Sequence, residues 1–112
     1  MKKEMYDKDN LGNVPMMNAL APNVMKAFWE FDRAAVAAGA IPVKYKELIA
    51  VAVAVTTQCP YCINIHTGNA RAAEATDAEL VEAAMVAAAI RAGGAVTHAT
   101  HVLDYEASAQ AG

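Results

Sequence analysis

Apolar side chains recur along this chain at helical rather than strand spacing. Pro22 carries the backbone angle of a first helical turn. Val24, Phe28, Phe31, Ala35 and Ala38 follow at intervals of three and four, and Gly39 closes the run. Pro42 opens a second helix, whose body ELIAVAVAV (residues 47–55) is ambiguous. Its valines alternate as in a strand, yet the residues between them are alanines rather than polar groups. The chain also offers no second strand to pair with it, and a lone strand is unstable. A helix apolar all round belongs at the centre of a fold, so this one is expected to be central and buried. A third helix is expected from the cysteines at 59 and 62 to about Ala75. A fourth should run from the Thr76/Glu79 capping box to the Gly93-Gly94 pair, which reads as a stop, and a fifth from roughly Ala95 to Ala109. Residues 1–20, polar and then methionine-rich, read as an arm or short irregular lead-in to a domain spanning residues 20–110. The expected fold is therefore all-α, one small domain of about five to six helices.

Composition agrees. With 112 residues, 56% of them hydrophobic and 19% charged, the chain can bury a modest single core and is not of the disordered class. About a quarter of the residues are alanine, the best helix former. Small faces let helices approach closely, and so few short helices leave apolar surface that only self-association covers, so a homo-oligomer is expected. The charged start MKKEMYDKDN has no apolar segment behind it, and ELIAVAVAV is too short to span a bilayer. The expected location is the cytoplasm, with no membrane partner. A net charge of −3 and scattered basic residues argue against a nucleic-acid partner. In a reducing compartment two cysteines are more often catalytic or metal-binding than a structural bridge.

The cysteines stand in the stretch Cys59-Pro60-Tyr61-Cys62, with His66 four residues on. Pro60 at the first helical position makes Cys59 the N-cap, where unpaired backbone N–H groups and the helix dipole favour a thiolate. At about 100° per residue, Cys62 lies about −60° and His66 about −20° from Cys59, so all three share one stripe. An imidazole one turn from Cys62 can take or return its proton. Redox chemistry is the leading reading. Zinc is an alternative, with Cys59, Cys62 and His66 as three ligands and Glu47 as a fourth, although structural zinc sites draw two pairs of ligands from two distant segments. Inert core thiols are the third. Glu47 is the one carboxylate in the apolar second helix. Burial is costly for it unless it is paired, either with Lys44 or Lys46 or with the stripe that carries His66.

Glu47, then eleven residues, then Cys59-x-x-Cys62-x-x-x-His66 resembles the alkyl hydroperoxidase D-like core of the carboxymuconolactone decarboxylase superfamily. The segment ATDAELVEAAMVAAAIRAGGAV is similar too, and the resemblance covers roughly residues 20–107. It implies an all-α fold assembling as trimers or hexamers, and thiol-dependent peroxidase or disulfide-reductase chemistry. Glu47 and His66 would form a proton relay, Cys62 would be the thiol the relay deprotonates, and Cys59 would close the disulfide. The substrate would be a hydroperoxide or a disulfide. The partner would be an external dithiol reductant of lipoyl or thioredoxin-like type, and no bound cofactor or metal would be needed. True decarboxylases of the superfamily do not depend on a dithiol, so the cysteines favour the redox branch over a lyase. Tyr61 stands where the best-known peroxidase carries a second histidine. It is an auxiliary candidate that can donate a hydrogen bond but is a poor base at neutral pH. His98, one turn from His101, is the other auxiliary candidate, through approach from a neighbouring helix or subunit.

Overall fold

The structure, a computed structural model, describes residues 6–104. It holds five α-helices and, among the described residues, no strand. The helices are α1 (Val14–Leu20), α2 (Pro22–Val36), α3 (Val43–Thr57), α4 (Pro60–Ala72) and α5 (Asp77–His98), flanked by 3-10 helices at Lys8–Asn13 and Ala99–Asp104. ELIAVAVAV is helical throughout, as part of α3. α3 lies between α4 and α5 and packs on both. Leu48 and Val51 of α3, Ala70 of α4, Leu80 of α5 and Ala75 in the intervening turn make one buried cluster, with Ala83 against it. Ala70 has no exposed surface, which is what lets α4 lie close on α3. The burial of α3 is one-sided, because Glu47, Leu48, Val51 and Ala54 face inward while Ile49 and Val53 are about half exposed.

Backbone geometry explains where the helices stop. α2 ends at Val36, before Gly39, and the amine of Lys46 caps it by donating to the carbonyls of Ala35 (2.9 Å) and Ala37 (2.5 Å). α3 ends where Gln58 turns left-handed at φ 57°, and the N–H of Cys59 returns to the carbonyl of Ala54 at 3.1 Å. Glu74, at φ 70°, ends the third helical run in the same way, with Ala75 N–H bonded to Ala70 O. The Thr76/Glu79 capping box forms with both bonds in place, and Glu79 also pairs with Lys44 at 2.8 Å, fastening the start of α5 to the start of α3.

Two expectations are corrected. Gly93-Gly94 does not stop the fourth predicted helix, because α5 runs through it to His98. Neither glycine adopts a positive φ, and the penalty of glycine in a helix is small beside the flanking alanines. Consequently no separate fifth predicted helix follows. Ala99–Asp104 is a 3-10 continuation, and the rest of the predicted segment lies outside the described residues. The lead-in also has regular structure, because residues 8–20 are 3-10 and then α-helical, and Trp29 Nε1 of α2 donates to Asn18 Oδ1 of α1 at 2.8 Å.

The single chain is extended. Its radius of gyration is 19.4 Å, against ~13 Å for a compact domain of this length. α1 and α2 reach away from the α3–α5 core and leave Leu20, Val24 and Phe31 at least 70% exposed. The stretch Asp77–Asp104 is long and apolar enough, by length and composition alone, to cross a membrane, because an 18-residue window within it has a mean hydropathy of 1.4.

Two substitutions test this packing in urea unfolding. Ala70→Leu overfills the α3–α4 contact and should cost about 1–3 kcal/mol. Gly93→Ala meets no neighbour within 4 Å. In an uninterrupted helix it should stabilise by about 0.5–1 kcal/mol, whereas a glycine required by a helix stop would make the same change destabilising.

Candidate active site

The turn that ends α3 delivers Cys59 directly to the start of α4. Cys59 is the N-cap, Pro60 occupies the first turn, and the Cys59 sulfur accepts the backbone N–H of Cys62 at 3.3 Å. The two sulfurs lie 2.6 Å apart, and both are free and half-buried. The Cys62 S–H donated to Cys59, and then the backbone N–H of Cys62, hold the Cys59 pKa below that of an ordinary thiol. The same shared hydrogen bond pushes Cys62 up to about 11, with burial, the neighbouring charge of Cys59 and the Asp32 carboxylate of α2 adding to it. Cys59 is thus the more acidic thiol of the pair, whereas the resemblance gives the role of the deprotonated thiol to Cys62.

Glu47, 4% exposed, is carried by α3 on the face that packs against α4. His66 Nδ1–H donates to Glu47 Oε2 at 2.6 Å. A lysine partner for Glu47 is not what the structure holds, because Lys44 pairs with Glu79 and Lys46 caps α2. Since Nδ1 is engaged by the carboxylate, a neutral His66 keeps its basic lone pair on Nε2. His66 itself stands one helical turn beyond Cys62. A buried carboxylate, an imidazole and two thiols of unlike acidity are thus assembled on adjoining helices, a set able to move a proton and form a disulfide. Among the described residues, no three His, Cys, Asp or Glu side chains are grouped as a metal ion requires.

Tyr61 is tied to the N-terminal segment. Its hydroxyl oxygen accepts from Asn10 Nδ2 at 3.0 Å, and its ring lies 6.1 Å from that of Tyr6, so the N-terminal segment reaches the cysteine turn. His98 lies apart from the Glu47–His66 pair. It lines an apolar groove of about 710 Å³ between α3 and α5, with Val53, Val86 and Ile90, and its ring stacks edge-on against His101 at 5.7 Å. Sequence reasoning missed Asn10 and Asp32. Asn10 acts by a hydrogen bond and Asp32 by its charge, each from a distant segment that no spacing rule exposes.

The chain is similar to known proteins in sequence and in fold. The sequence model of the carboxymuconolactone decarboxylase family matches residues 22–105. An uncharacterized protein of the cox locus of Paracoccus denitrificans is 47% identical over 77 residues, which is 69% of each chain. An uncharacterized protein of Cupriavidus necator is 36% identical over 84 residues, 75% of this chain and 74% of that one. A protein of Methanobacterium thermoautotrophicum superposes with a TM-score of 0.72 at 37% identity, over 77% of this chain and 97% of its own. A carboxymuconolactone decarboxylase family protein of Legionella pneumophila, in its apo form, gives 0.71 at 34% identity over 87% of both chains.

The division of charge between the thiols is open to alkylation. At neutral pH iodoacetamide should label Cys59 before Cys62, as peptide mapping would show. Cys62→Ala removes the S–H that steadies the Cys59 thiolate, so the Cys59 pKa should rise and its labelling at pH 7 should slow by about threefold to tenfold. Cys59→Ala should bring Cys62 down from about 11 towards the ordinary thiol range. Preferential labelling of Cys62 in the wild type would reverse the assignment.

Proposed function

The chain belongs to the carboxymuconolactone decarboxylase family, and within it we propose a thiol-dependent oxidoreductase that reduces a hydroperoxide or a disulfide with the Cys59/Cys62 pair. The observation that carries this reading is the part-buried 2.6 Å bond from Glu47 of α3 to His66, which sits on the helix that opens with the two adjacent sulfurs.

Oxidation of a dithiol to a disulfide releases two protons, and the two thiols release them unequally. Cys59 ionises readily at the N-cap. Cys62, with its raised pKa, needs a base. His66, oriented by Glu47, supplies that base through Nε2. The Cys59 thiolate attacks the outer oxygen of a hydroperoxide. The O–O bond breaks, the alkoxide takes a proton from solvent and leaves as an alcohol, and Cys59 becomes a sulfenic acid. Cys62, losing its proton to His66, attacks the Cys59 sulfur. Water departs with the transferred proton, and the disulfide forms. With a disulfide substrate, the first step gives a mixed disulfide and one thiol, and Cys62 expels the second thiol. An external dithiol, lipoyl-type or thioredoxin-like, then reduces the Cys59–Cys62 bridge. The dithiol stores the two electrons, so no bound cofactor is invoked, and a reducing compartment such as the cytoplasm suits it.

Self-association belongs to the same reading. The open α3–α5 groove, the exposed apolar residues of α1 and α2 and the extended shape all present surface that further copies of the chain would cover, as a trimer or hexamer would. A protein partner for α5 is favoured over lipid by Arg91, which lies mid-way along the apolar stretch and donates to the carbonyl of Thr56 at 3.3 Å.

Turnover of a hydroperoxide and of lipoamide disulfide, each with a dithiol regenerant, tests the proposal. His66→Ala should lower kcat/KM by about a hundredfold or more, and Glu47→Gln by about tenfold or more, with helicity retained. Either cysteine replaced by serine should abolish turnover. Activity on a lactone acid that survives loss of both cysteines would favour the lyase reading. Variants indistinguishable from wild type in disulfide and peroxide turnover would remove the relay.

A further inference from the structure

The family match begins at residue 22, yet the cysteine turn is also touched by residues upstream of it. Lys8–Asn13 form a 3-10 helix capped by Asp7, whose side chain accepts Asp9 N–H at 2.9 Å. From this short, locally ordered piece Asn10 reaches across 51 positions of sequence to the Tyr61 hydroxyl, and Tyr6 sets its ring beside that of Tyr61. Tyr61 lies between the two cysteines in the first turn of α4, and its backbone N–H is one of the groups that lower the Cys59 pKa. One residue thus holds a backbone donor at the sulfur and, through its side chain, a tether to a segment outside the family core.

We propose that residues 6–13 form a wall beside the dithiol that selects substrates by the bulk flanking the reacting sulfur or oxygen, with Asn10 as the positioning residue that holds the wall through Tyr61. It rests on the thiol chemistry proposed above only in taking the cysteines as the reacting atoms. The wall acts on approach. A small reagent passes it, while a substrate with rings next to the reacting atom meets Tyr6, Tyr61 and the 3-10 turn. Loss of the Asn10–Tyr61 bond frees the segment to move off the turn, which should open the site to bulky reagents and leave small ones unaffected.

Two thiol reagents separate access from reactivity, and neither requires turnover. Iodoacetamide is small and reports the reactivity of the thiolate. Dithionitrobenzoate is a bulky aromatic disulfide. The Cys59 thiolate breaks its S–S bond and releases one thionitrobenzoate, after which Cys62 displaces the second and closes the protein disulfide. The reaction is read as the ratio of the two rates in the full-length protein. Asn10→Ala and Tyr61→Phe should each raise the dithionitrobenzoate rate relative to iodoacetamide by about threefold to tenfold, the range one hydrogen bond supports. Asn10→Gln, which keeps the donor, should restore part of the discrimination. An unchanged ratio in both single variants would overturn the proposal. So would proportional changes with both reagents, which would mark a general loosening or an altered thiolate. Because Tyr61→Phe deletes a single oxygen, it keeps the test valid even if Asn10→Ala unfolds the segment. If wild type turns over neither hydroperoxide nor disulfide, the functional reading fails while the rate ratio still judges the wall.

Discussion

A carboxylate buried in an alanine- and valine-lined helix must be paired or neutral, and this constraint organises the structure around Glu47. Its partner, His66, lies on the next helix, so the 2.6 Å bond between them fixes how α4 lies against α3. Ala70, fully buried one turn beyond His66, permits the close approach that the bond needs. Removing His66 would leave Glu47 unpaired in an apolar setting, a cost far above that of an exposed ion pair. The pairing also sets the chemistry. With Nδ1 committed to the carboxylate, Nε2 is left as the base, and a stability requirement thereby becomes an oriented proton acceptor.

The opening of α4 provides the complementary asymmetry. Two cysteines three residues apart are chemically identical as free amino acids. At a helix N-terminus they are not, because one becomes the cap and accepts hydrogen bonds while the other becomes the donor. Cys59 therefore holds charge easily and Cys62 holds its proton tightly. A base one turn along the helix is then useful at Cys62 rather than at Cys59. In the proposed mechanism the relay serves Cys62, as the resemblance implies, and the more acidic Cys59 reacts first.

Much of this was legible in residue spacing. The N-cap cysteine, the proline behind it, the Thr76/Glu79 capping box and the helical nature of ELIAVAVAV all follow from local rules of backbone geometry and periodicity, and all are present. The course of the chain after Ala92 was not legible. A glycine pair signals a stop only when one glycine turns left-handed, and in an alanine-rich helix that remains in progress nothing forces the turn. The Glu47–His66 pairing stood as one of two options, because Lys44 and Lys46 are as near in sequence as any partner. Only three-dimensional packing assigns those lysines to Glu79 and to the end of α2. Asn10 and Asp32 lay beyond any local rule, since one bonds Tyr61 and the other acts by its charge on Cys62, each from a segment whose placement depends on the whole fold.

The central claim is that Glu47 and His66 act as one unit on Cys62, and a double-variant cycle on the rate of dithiol oxidation by a hydroperoxide tests it most directly. If Glu47 works only by orienting His66, the Glu47→Gln/His66→Gln double variant should be no slower than the slower of the two single variants. Losses that multiply in the double variant would mean that the two side chains act independently, and would contradict the account.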